Sequence, residues 1–181
     1  MKLNLGAGND SRSGYVNHDI QQLEGIQIVH DLNSYPWPWE DNSIQYILAI
    51  DVIEHLVDVT KTMEEIYRIL KPGDSVEIRV PYWNSWCAHA DPTHKHTFHE
   101  LTFRYFDIES PFYQERKYYT NAKFIIKKES FIIAPFTPYY TLPGVGICEI
   151  SGKYTKKLLG WFGNHISNII LGVHVILTKV E

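Results

Sequence analysis

The sequence has little cysteine and no long apolar run. Cys87 and Cys148 are the only cysteines among 181 residues, and they lie far apart in the chain. Small secreted domains need several cysteines for a disulfide framework, so this scarcity excludes that class and favours a reducing compartment. The sequence also shows no charged leader before an apolar segment, and no stretch of about eighteen uninterrupted apolar residues. We therefore expect a cytoplasmic protein.

An excess of positive charge is also missing. The formal net charge is -4, which argues against the broad basic surface that binds nucleic acid, so we expect no nucleic-acid partner. A small molecule or a neutral polymer is the favoured partner. The chain has no internal repeat or low-complexity tract, and its length and 44% hydrophobic content suit one core. We expect a single domain over residues 1–181.

The opening stretch LNLGAGNDSRSGYVNHDI lacks the third glycine of a dinucleotide-binding fingerprint. A short apolar strand ends at Gly6 and Gly8, and the third glycine position is occupied by Ser11. The next strand-end acid, Asp19, follows early, whereas the fingerprint expects an acid about 20 residues on. Glycines at a strand end still let the backbone approach a ligand closely. The stretch is therefore consistent with two interpretations, an ordinary turn and a nucleotide site that binds no pyrophosphate.

The remaining pattern predicts an open α/β sheet. We expect strands over 2–5, 15–20, 26–30, 43–50, 75–80, 122–133 and 172–180, and a helix over 58–70 that ends at Lys71-Pro72-Gly73. This order fits a Rossmann-like, mostly parallel sheet with an antiparallel C-terminal strand and helices on both faces. The connection from Gly8 to Tyr15 is too short for a full crossover helix. We expect a compressed turn of helix there.

Two segments depart from the regular pattern. Residues from about 82 to 121 are rich in histidine and aromatic side chains and predict an insertion over the sheet. Residues from about 131 to 170 predict a second insertion, with more apolar side chains than an exposed loop carries. We expect this segment to cover a pocket or to form a homodimer surface. Lys153, Lys156 and Lys157 slightly favour a third reading, contact with a membrane surface.

Three acids follow predicted strands. Asp19, Asp31 and Asp51 come after the second, third and fourth strands. A carboxylate beside a glycine turn at the carboxyl edge of a parallel sheet is placed to accept both hydroxyls of a ribose. Any one of these acids is more often a turn or cap residue. The three together favour a nucleoside site.

Six ordered motifs resemble the class I S-adenosylmethionine-dependent methyltransferases, particularly a small type found near glycan-synthesis functions. The motifs are LNLGAG, VNHDI, HDLN, PWPWEDNSIQYI, AIDVIEHLVD and EEIYRILKPGDSVEIRVP, and the resemblance covers residues 2 to about 106. It implies S-adenosyl-L-methionine as cofactor and methyl transfer to a hydroxyl of a sugar, glycan or related small acceptor. An alternative is a non-catalytic binding domain of the same fold within a glycan-modifying assembly.

The resemblance also implies a set of cofactor-binding residues. Gly6 and Gly8 would contact the methionine portion, Asp19 the ribose, Asp31 and Leu32 the adenine, and Asp51 and Val52 the methionine side again. Their neighbours Leu5, Ala7 and Ile20 complete the set. The chain starts at the first strand, without the helix that often precedes it in the family, so we expect an open cofactor pocket.

A histidine cluster, HADPTHKHTFH, offers three readings. His89, Asp91, His94, His96 and His99 could be metal ligands, catalytic bases or surface loop residues. No helical His-x-x-x-His pair fixes a metal geometry, so we predict no metal ligand and leave a divalent metal requirement open. The resemblance continues through this cluster.

The same cluster supplies the predicted catalytic residues. We predict His94 as the base and Asp91 as the group that orients it, with His55, which follows Glu54, as the alternative base. Tyr82, Trp83 and Trp86 come after the fifth strand, and they are expected to stack on a sugar ring.

Overall fold

The structure is a computed structural model that describes residues 1–133 and 148–181. In this part of the chain, eight strands form one sheet in the order β3-β2-β1-β4-β5-β8-β6-β7. The strands span Lys2–Leu5 (β1), Val16–Asp19 (β2), Ile28–Val29 (β3), Ile44–Ile50 (β4), Leu70–Pro81 (β5), Phe124–Ile133 (β6), Cys148–Ile150 (β7) and Gly172–Lys179 (β8). The α-helices span Val59–Ile69 (α1), Trp86–Ala90 (α2), Pro111–Glu115 (α3) and Lys153–Gly163 (α4), with short 3₁₀ turns at Ile53–His55, Thr102–Tyr105 and Lys117–Tyr119.

The strand directions confirm the predicted Rossmann-like sheet. The strands β1 to β5 pair in parallel. The C-terminal strand β8 lies antiparallel between β5 and β6, as predicted. An additional short strand, β7, pairs antiparallel with β6 at the edge. Carboxyl ends of the parallel strands therefore meet at one edge of the sheet, where such folds bind ligands.

The expected helical turn between β1 and β2 is wrong. Two buried asparagines hold this connection in an irregular turn instead. Asn4 Nδ2 donates to the Asp10 carbonyl over 2.9 Å, and the Arg12 backbone N–H donates to Asn17 Oδ1 over 2.8 Å. Because these side chains satisfy the backbone groups of the loop, a helix is not needed to join two parallel strands over so few residues.

Helix α1 begins where the sequence predicts. Asp58 caps it by accepting the Lys61 backbone N–H over 2.8 Å. At the other end β5 starts at Leu70, so the predicted helix-ending turn at residues 71–73 lies inside the strand. Lys179 reaches across from β8, and its Nζ donates to the carbonyls of Tyr67 and Leu70 over 2.7 and 2.8 Å. This lysine satisfies carbonyls that a capping turn would otherwise satisfy.

The two faces of the sheet differ in polarity. Leu3, Ile47, Val76 and Leu177 align across four strands, are fully buried, and belong to the same core as the apolar side of α1. The next aligned positions, on the opposite face, are Asn4, Leu48, Glu77 and Ile176, and α2 lies at the carboxyl end of that face. The core therefore leaves a sheet face with several polar side chains at the edge where the parallel strands end.

The predicted insertions contain short elements. Helices α2 and α3 lie within 82–121, and the stretch 131–170 includes the end of β6, then β7 and α4. Residues 134–147 of that stretch lie outside the described residues. The single-domain extent and the insertion boundaries stay predictions. Among the described helices, none is both long enough and apolar enough to cross a membrane.

Candidate active site

The turn after β1 is shaped by its two glycines. Gly6 and Gly8 have φ angles of 58° and 51°, in the left-handed region that glycine adopts without steric cost. A Cβ added at Gly6 would lie 2.5 Å from Val52 Cγ2, whereas no described atom lies within 4 Å of a Cβ added at Gly8. Packing therefore requires glycine at position 6, and the space beside Gly8 is open to a ligand.

Asp19 is fixed to this turn by its carboxylate. The Gly8 backbone N–H donates to Asp19 Oδ2 over 2.8 Å, and the Gln21 backbone N–H donates to Oδ1 over 3.0 Å. Each carboxylate oxygen keeps a second lone pair, and the residue is only partly buried. The arrangement fits the predicted role of Asp19 toward the two hydroxyls of a ribose.

His18 stabilises the glycine turn from a buried position, and this role was not predicted from the sequence. It is 1% exposed. Its Nε2–H donates to the His30 carbonyl over 2.9 Å, and its Nδ1 receives a long bond of 3.4 Å from the Gly6 backbone N–H. Burial lowers the pKa of the imidazole, so the ring is held neutral. The sequence signal that could have identified His18 is its position one residue before Asp19, the acid at the end of β2.

The predicted adenine residues lie in the turn after β3. Asp31 Oδ1 accepts the Asn33 backbone N–H over 2.9 Å, and this bond lowers the pKa of the carboxyl. The Leu32 side chain is buried in the core, and its carbonyl accepts the Trp37 Nε1–H over 3.0 Å. Leu32 as a whole is 5% exposed, so little of it is accessible to a ligand. Ile20, after β2, is 60% exposed.

Asp51 ends β4 in a left-handed conformation with a φ of 54°. Its carboxylate forms an ion pair with the Arg79 guanidinium, and its backbone N–H donates to the Arg79 carbonyl over 2.9 Å. Arg79 was not predicted from the sequence. Val52 is 7% exposed and packs against Gly6, so its role in the predicted cofactor set is to shape the glycine turn.

A cavity of about 850 Å³ opens at the carboxyl ends of β4 and β5. Six acids among the described residues line it, together with three histidines and two arginines: Asp10, Asp51, Glu54, Glu77, Asp91, Glu149, His55, His94, His174, Arg12 and Arg79. The cavity thus brings together all three predicted catalytic residues and Asp51.

The other predicted cofactor residues, from Leu5 to Leu32, are not among the described residues that line this cavity. The chain joins the two regions at residues 51 and 52, since Asp51 lines the cavity and Val52 contacts the glycine turn.

An acid and two imidazoles converge inside the cavity. The rings of His55 and His94 lie 4.7 Å apart between centroids. Glu54 beside them is fully buried, and neither of its carboxylate oxygens has a hydrogen-bond partner in the described part of the chain. Burial raises the pKa of Glu54 to about 8. Burial, followed by the charge of His94, lowers the pKa of His55.

The Asp91 side chain connects to His55 through Thr93, whereas the sequence prediction paired it with His94. Thr93 Oγ1 donates to Asp91 Oδ1 over 2.6 Å and accepts the His55 Nδ1–H over 2.9 Å. His94 Nδ1 instead donates to the Ala88 carbonyl over 3.2 Å. These partners assign the proton of both rings to Nδ1, which leaves both Nε2 atoms with an accessible lone pair.

The other predicted histidines make structural hydrogen bonds outside the cavity. His89 Nε2 contacts the Trp83 carbonyl and His96 Nε2 contacts the Val57 carbonyl, each over 3.0 Å. His99 lies 3.2 Å from the Glu100 carboxylate. The surface-loop reading therefore describes these three side chains.

Of the three predicted stacking aromatics, Trp86 lines the cavity. Tyr82 is fully buried and its hydroxyl donates to Glu100 over 2.9 Å, so its expected place beside an acceptor is wrong. Trp83 stacks on His99 with 6.4 Å between ring centroids.

Comparison with known proteins adds a family match. Residues 7–77 match the family described as a methyltransferase domain. A 42-residue stretch is 43% identical to phosphoethanolamine N-methyltransferase 2 of Caenorhabditis elegans and covers 23% of this chain and 10% of that protein. A 55-residue stretch is 34% identical to demethylmenaquinone methyltransferase of Oceanobacillus iheyensis and covers 30% of this chain and 23% of that protein. The matches therefore span less than a quarter of each curated relative.

Solved structures share the fold over nearly the whole chain. A SAM dependent methyltransferase from Archaeoglobus fulgidus aligns with a TM-score of 0.64 at 17% identity, covering 98% of this chain and 85% of that one. The [4+2]-cyclase SpnF aligns with a TM-score of 0.57 at 13% identity, covering 99% and 75%. A Haemonchus contortus phosphoethanolamine N-methyltransferase 2, solved with phosphomonomethylethanolamine and S-adenosylhomocysteine, gives 0.51 at 17% identity, covering 99% and 48%.

At these identities the structural matches establish the fold, and the family match adds a similarity to a methyltransferase domain over residues 7–77. The predicted methyltransferase class agrees with these matches, and the subtype associated with glycan synthesis stays a prediction. The family match and the fold together support a class I S-adenosylmethionine-dependent methyltransferase, with S-adenosylmethionine as its cofactor.

Proposed function

We propose that this protein transfers a methyl group from S-adenosylmethionine to a hydroxyl of a sugar or glycan. The observation that supports this most is the convergence of Glu54, His55 and His94 in the cavity at the ends of β4 and β5. When bound, the cofactor supplies an electrophilic methyl group on a sulfonium sulfur. The residues of the chain bind it, align the acceptor and accept the acceptor's proton.

The turn after β1 fits the cofactor. The open side of Gly8 leaves room for a ligand, and Asp19, fixed by the Gly8 and Gln21 backbone N–H groups, keeps lone pairs for ribose hydroxyls. Leu32 and the carboxylate of Asp31 are assigned to the adenine. The methionine end is assigned to Gly6 and Asp51, because Asp51 lines the cavity in which methyl transfer would occur.

The acceptor hydroxyl is assigned to the cavity beside the two imidazoles. His55 is the better oriented proton acceptor, because Thr93 and Asp91 fix its Nδ1–H and leave Nε2 to accept. His94 is the second candidate, held by the Ala88 carbonyl. In this assignment His55 is the first candidate for the base and His94 the alternative, which reverses the prediction from the sequence.

The chemistry of the cavity wall supports a polyhydroxylated acceptor. Carboxylates and guanidinium groups can bind several hydroxyls at once, and Trp86 offers a flat face on which a sugar ring can stack. The two curated relatives are named for phosphoethanolamine and demethylmenaquinone, so these acceptors are the natural competitors in an assay.

Two described residues of the apolar segment 131–170 are assigned to the wall of the same cavity. Ile132 and Glu149 line it, which supports the pocket-covering role. Lys156 lies 2.8 Å from Glu129 in an ion pair, which weakens the membrane-surface reading. Leu158 and Trp161 on α4 are 58% and 57% exposed and support a homodimer surface.

A transfer assay tests the proposal. Purified protein is incubated with S-adenosylmethionine carrying a labelled methyl group and with a sugar panel, phosphoethanolamine or a demethylmenaquinone analogue. We expect label in a sugar hydroxyl, a large loss of transfer in His55→Gln, and little change in His89→Gln. Label found only in the amine or the quinone would overturn the acceptor assignment. Cofactor binding with no transfer to any acceptor would instead support the non-catalytic binding domain.

A further inference from the structure

We propose that Glu54, His55 and His94 form a binding site for a divalent transition-metal cation, best suited to Zn²⁺. One carboxylate oxygen of Glu54 and one ring nitrogen of each histidine lie within 4.8 Å of one another. The three residues line the same cavity, so a cation bound there remains accessible to a substrate.

Both histidines are already oriented as metal ligands. His55 donates its Nδ1–H to Thr93 Oγ1, which is bonded in turn to Asp91, and His94 donates its Nδ1–H to the Ala88 carbonyl. Metal-binding histidines almost always use the second nitrogen in this way, because the hydrogen bond fixes the tautomer and the ring orientation. The arrangement leaves two Nε2 lone pairs for a cation.

Glu54 is the observation that points independently to a ligand. It is 0% exposed, and neither carboxylate oxygen has a hydrogen-bond partner within the described residues. A buried carboxylate without a partner is costly, and a bound cation supplies the missing interaction. Its backbone carbonyl accepts the N–H groups of Lys95 and His96 over 2.8 and 3.2 Å, which holds the His94 segment against it.

The surrounding charge favours a cation. Six acids line the cavity, against two arginines among the described residues. Arg79 is paired with Asp51, and Arg12 is paired with Asp10 over 2.7 Å. Since each arginine already faces a carboxylate, Asp91 leaves negative charge beside the site, and a bound cation would favour the charged form of Glu54.

The ligand set distinguishes among metals. Two imidazole nitrogens and one carboxylate oxygen suit Zn²⁺ and, with lower affinity, Mn²⁺ or Fe²⁺, whereas Mg²⁺ and Ca²⁺ prefer oxygen ligands. A tetrahedral ion with bonds of about 2.1 Å places its ligand atoms about 3.4 Å apart, so binding draws the three side chains inward. Three protein ligands leave one position open.

The role of the metal in catalysis rests on the proposed function. The open position would bind the acceptor hydroxyl and make it more acidic, so that its proton leaves to solvent water. The bond that forms joins the acceptor oxygen to the methyl carbon, and the bond that breaks joins that carbon to the sulfonium sulfur, which leaves as a neutral thioether. This scheme keeps the methyl transfer of the proposed function but replaces its base: His55 and His94 act here as metal ligands, and the proton leaves to water instead of to Nε2 of either ring.

Metal titration of the full chain tests the site directly. The protein is stripped with a chelator, and Zn²⁺, Mn²⁺ and Mg²⁺ are titrated by calorimetry without cofactor or acceptor; Co²⁺ provides a visible absorption signal. We expect one Zn²⁺ per chain, weaker Mn²⁺ binding and no Mg²⁺ binding. We expect Glu54→Gln and His94→Gln to weaken Zn²⁺ binding by about 100-fold or more, and Thr93→Val by about tenfold, because it removes the hydrogen bond that orients His55.

The controls separate this site from other surface histidines. His89→Gln and His96→Gln should bind Zn²⁺ as the wild type does, and circular dichroism confirms that every variant is folded. Absence of Zn²⁺ binding in the wild type, or unchanged binding in both Glu54→Gln and His94→Gln, would overturn the proposal. Zn²⁺ binding without any methyl transfer would contradict the proposed function alone, and methyl transfer that survives full chelation would contradict the metal's role.

Discussion

Val52 packs against the backbone of Gly6, so that a Cβ at position 6 would lie 2.5 Å from Val52 Cγ2. This contact joins the turn after β1 to the end of β4, although the two residues are far apart in sequence. The glycine turn and the cavity beside Asp51 are thus held in one fixed relationship. A side chain at position 6 would disturb both regions at once.

Gly6→Ala should therefore reduce stability by more than a backbone effect alone. The left-handed φ costs an alanine about 1 to 2 kcal/mol, and overpacking against Val52 adds about 1 to 3 kcal/mol. Urea denaturation measures the change in the free energy of unfolding. Gly14→Ala is the matched control, since Gly14 has a φ of 80° and no described atom within 4 Å of an added Cβ.

The steric part of this prediction has its own check. In the double variant Gly6→Ala with Val52→Ala, the two effects should be non-additive, because removing the Val52 methyl groups relieves the overlap. Equal losses in Gly6→Ala and Gly14→Ala, or strict additivity in the double variant, would show that the contact with Val52 is unimportant.

His18 should make stability depend on pH. Its folded pKa is lowered, chiefly by burial, against smaller opposing effects of the His30 carbonyl and Asp19. The unfolded chain then binds the proton more readily, so the contribution is complete above about pH 6.5 and is lost as pH falls toward the folded pKa. We expect the free energy of unfolding to decrease from pH 7.5 to 5.5.

The variant His18→Gln should flatten this slope, whereas the exposed His165→Gln should leave it unchanged. Urea titrations at several pH values provide the comparison. If His18→Gln showed the full wild-type slope, the buried imidazole would not be its source.

Arg68 should be among the most costly side chains to remove outside the core. It donates to Glu65 and Asp41 and to the carbonyls of Trp37 and Trp39, and so fixes the loop before β4 to α1. The Glu65 side chain is 6% exposed and would lose its charged partner. We expect Arg68→Met to lower the free energy of unfolding by about 3 kcal/mol.

A surface pair provides the reference for Arg68. Arg116 pairs with Glu115, whose side chain is 68% exposed, so Arg116→Met should change stability far less than Arg68→Met. Adding Glu65→Gln to Arg68→Met should recover part of the loss. Similar losses for the two arginines would contradict the assigned role of the Arg68 network.

Glu54 should reduce the stability of the metal-free protein. Its buried carboxyl has no hydrogen-bond partner in the described residues, so Glu54→Met should raise the free energy of unfolding by about 1 to 3 kcal/mol. Glu64 is the matched control: its Oε1 accepts the Asn121 backbone N–H over 3.1 Å, so Glu64→Met should be destabilising. Thermal unfolding in a chelator distinguishes the two, and a loss of stability in Glu54→Met would contradict the prediction.

The sequence predicted the strands and α1 well because their signals are local. Alternation or continuous apolar character marks β1, β4 and β8, and periodicity with a capping aspartate marks α1. The connection after Gly8 was predicted wrongly because Asn4 and Asn17, which hold it, act from the two neighbouring strands.

The candidate site could be predicted only in part. The strand-end acids and Gly6 follow from the order of elements, but the contact between His55 and His94 depends on how a later loop returns to the end of β4. The partner of Asp91 was predicted wrongly, because the Thr93 hydroxyl is close enough to bond both Asp91 and His55. The places of Arg79 and Glu54 in the site could not be predicted, because they depend on the register of β5 and on the burial of the cavity wall.

The central claim is that the turn after β1, with Asp19, holds the adenosyl group of the cofactor. Calorimetric titration of the full chain with S-adenosylhomocysteine tests it most directly, with Asp74→Ala, at the opposite end of β5, as the control. We predict one ligand per chain, wild-type affinity in Asp74→Ala, and a loss of at least about tenfold, near 1.4 kcal/mol, in Asp19→Ala. Absence of binding, or equal affinity in Asp19→Ala and the wild type, would contradict the account.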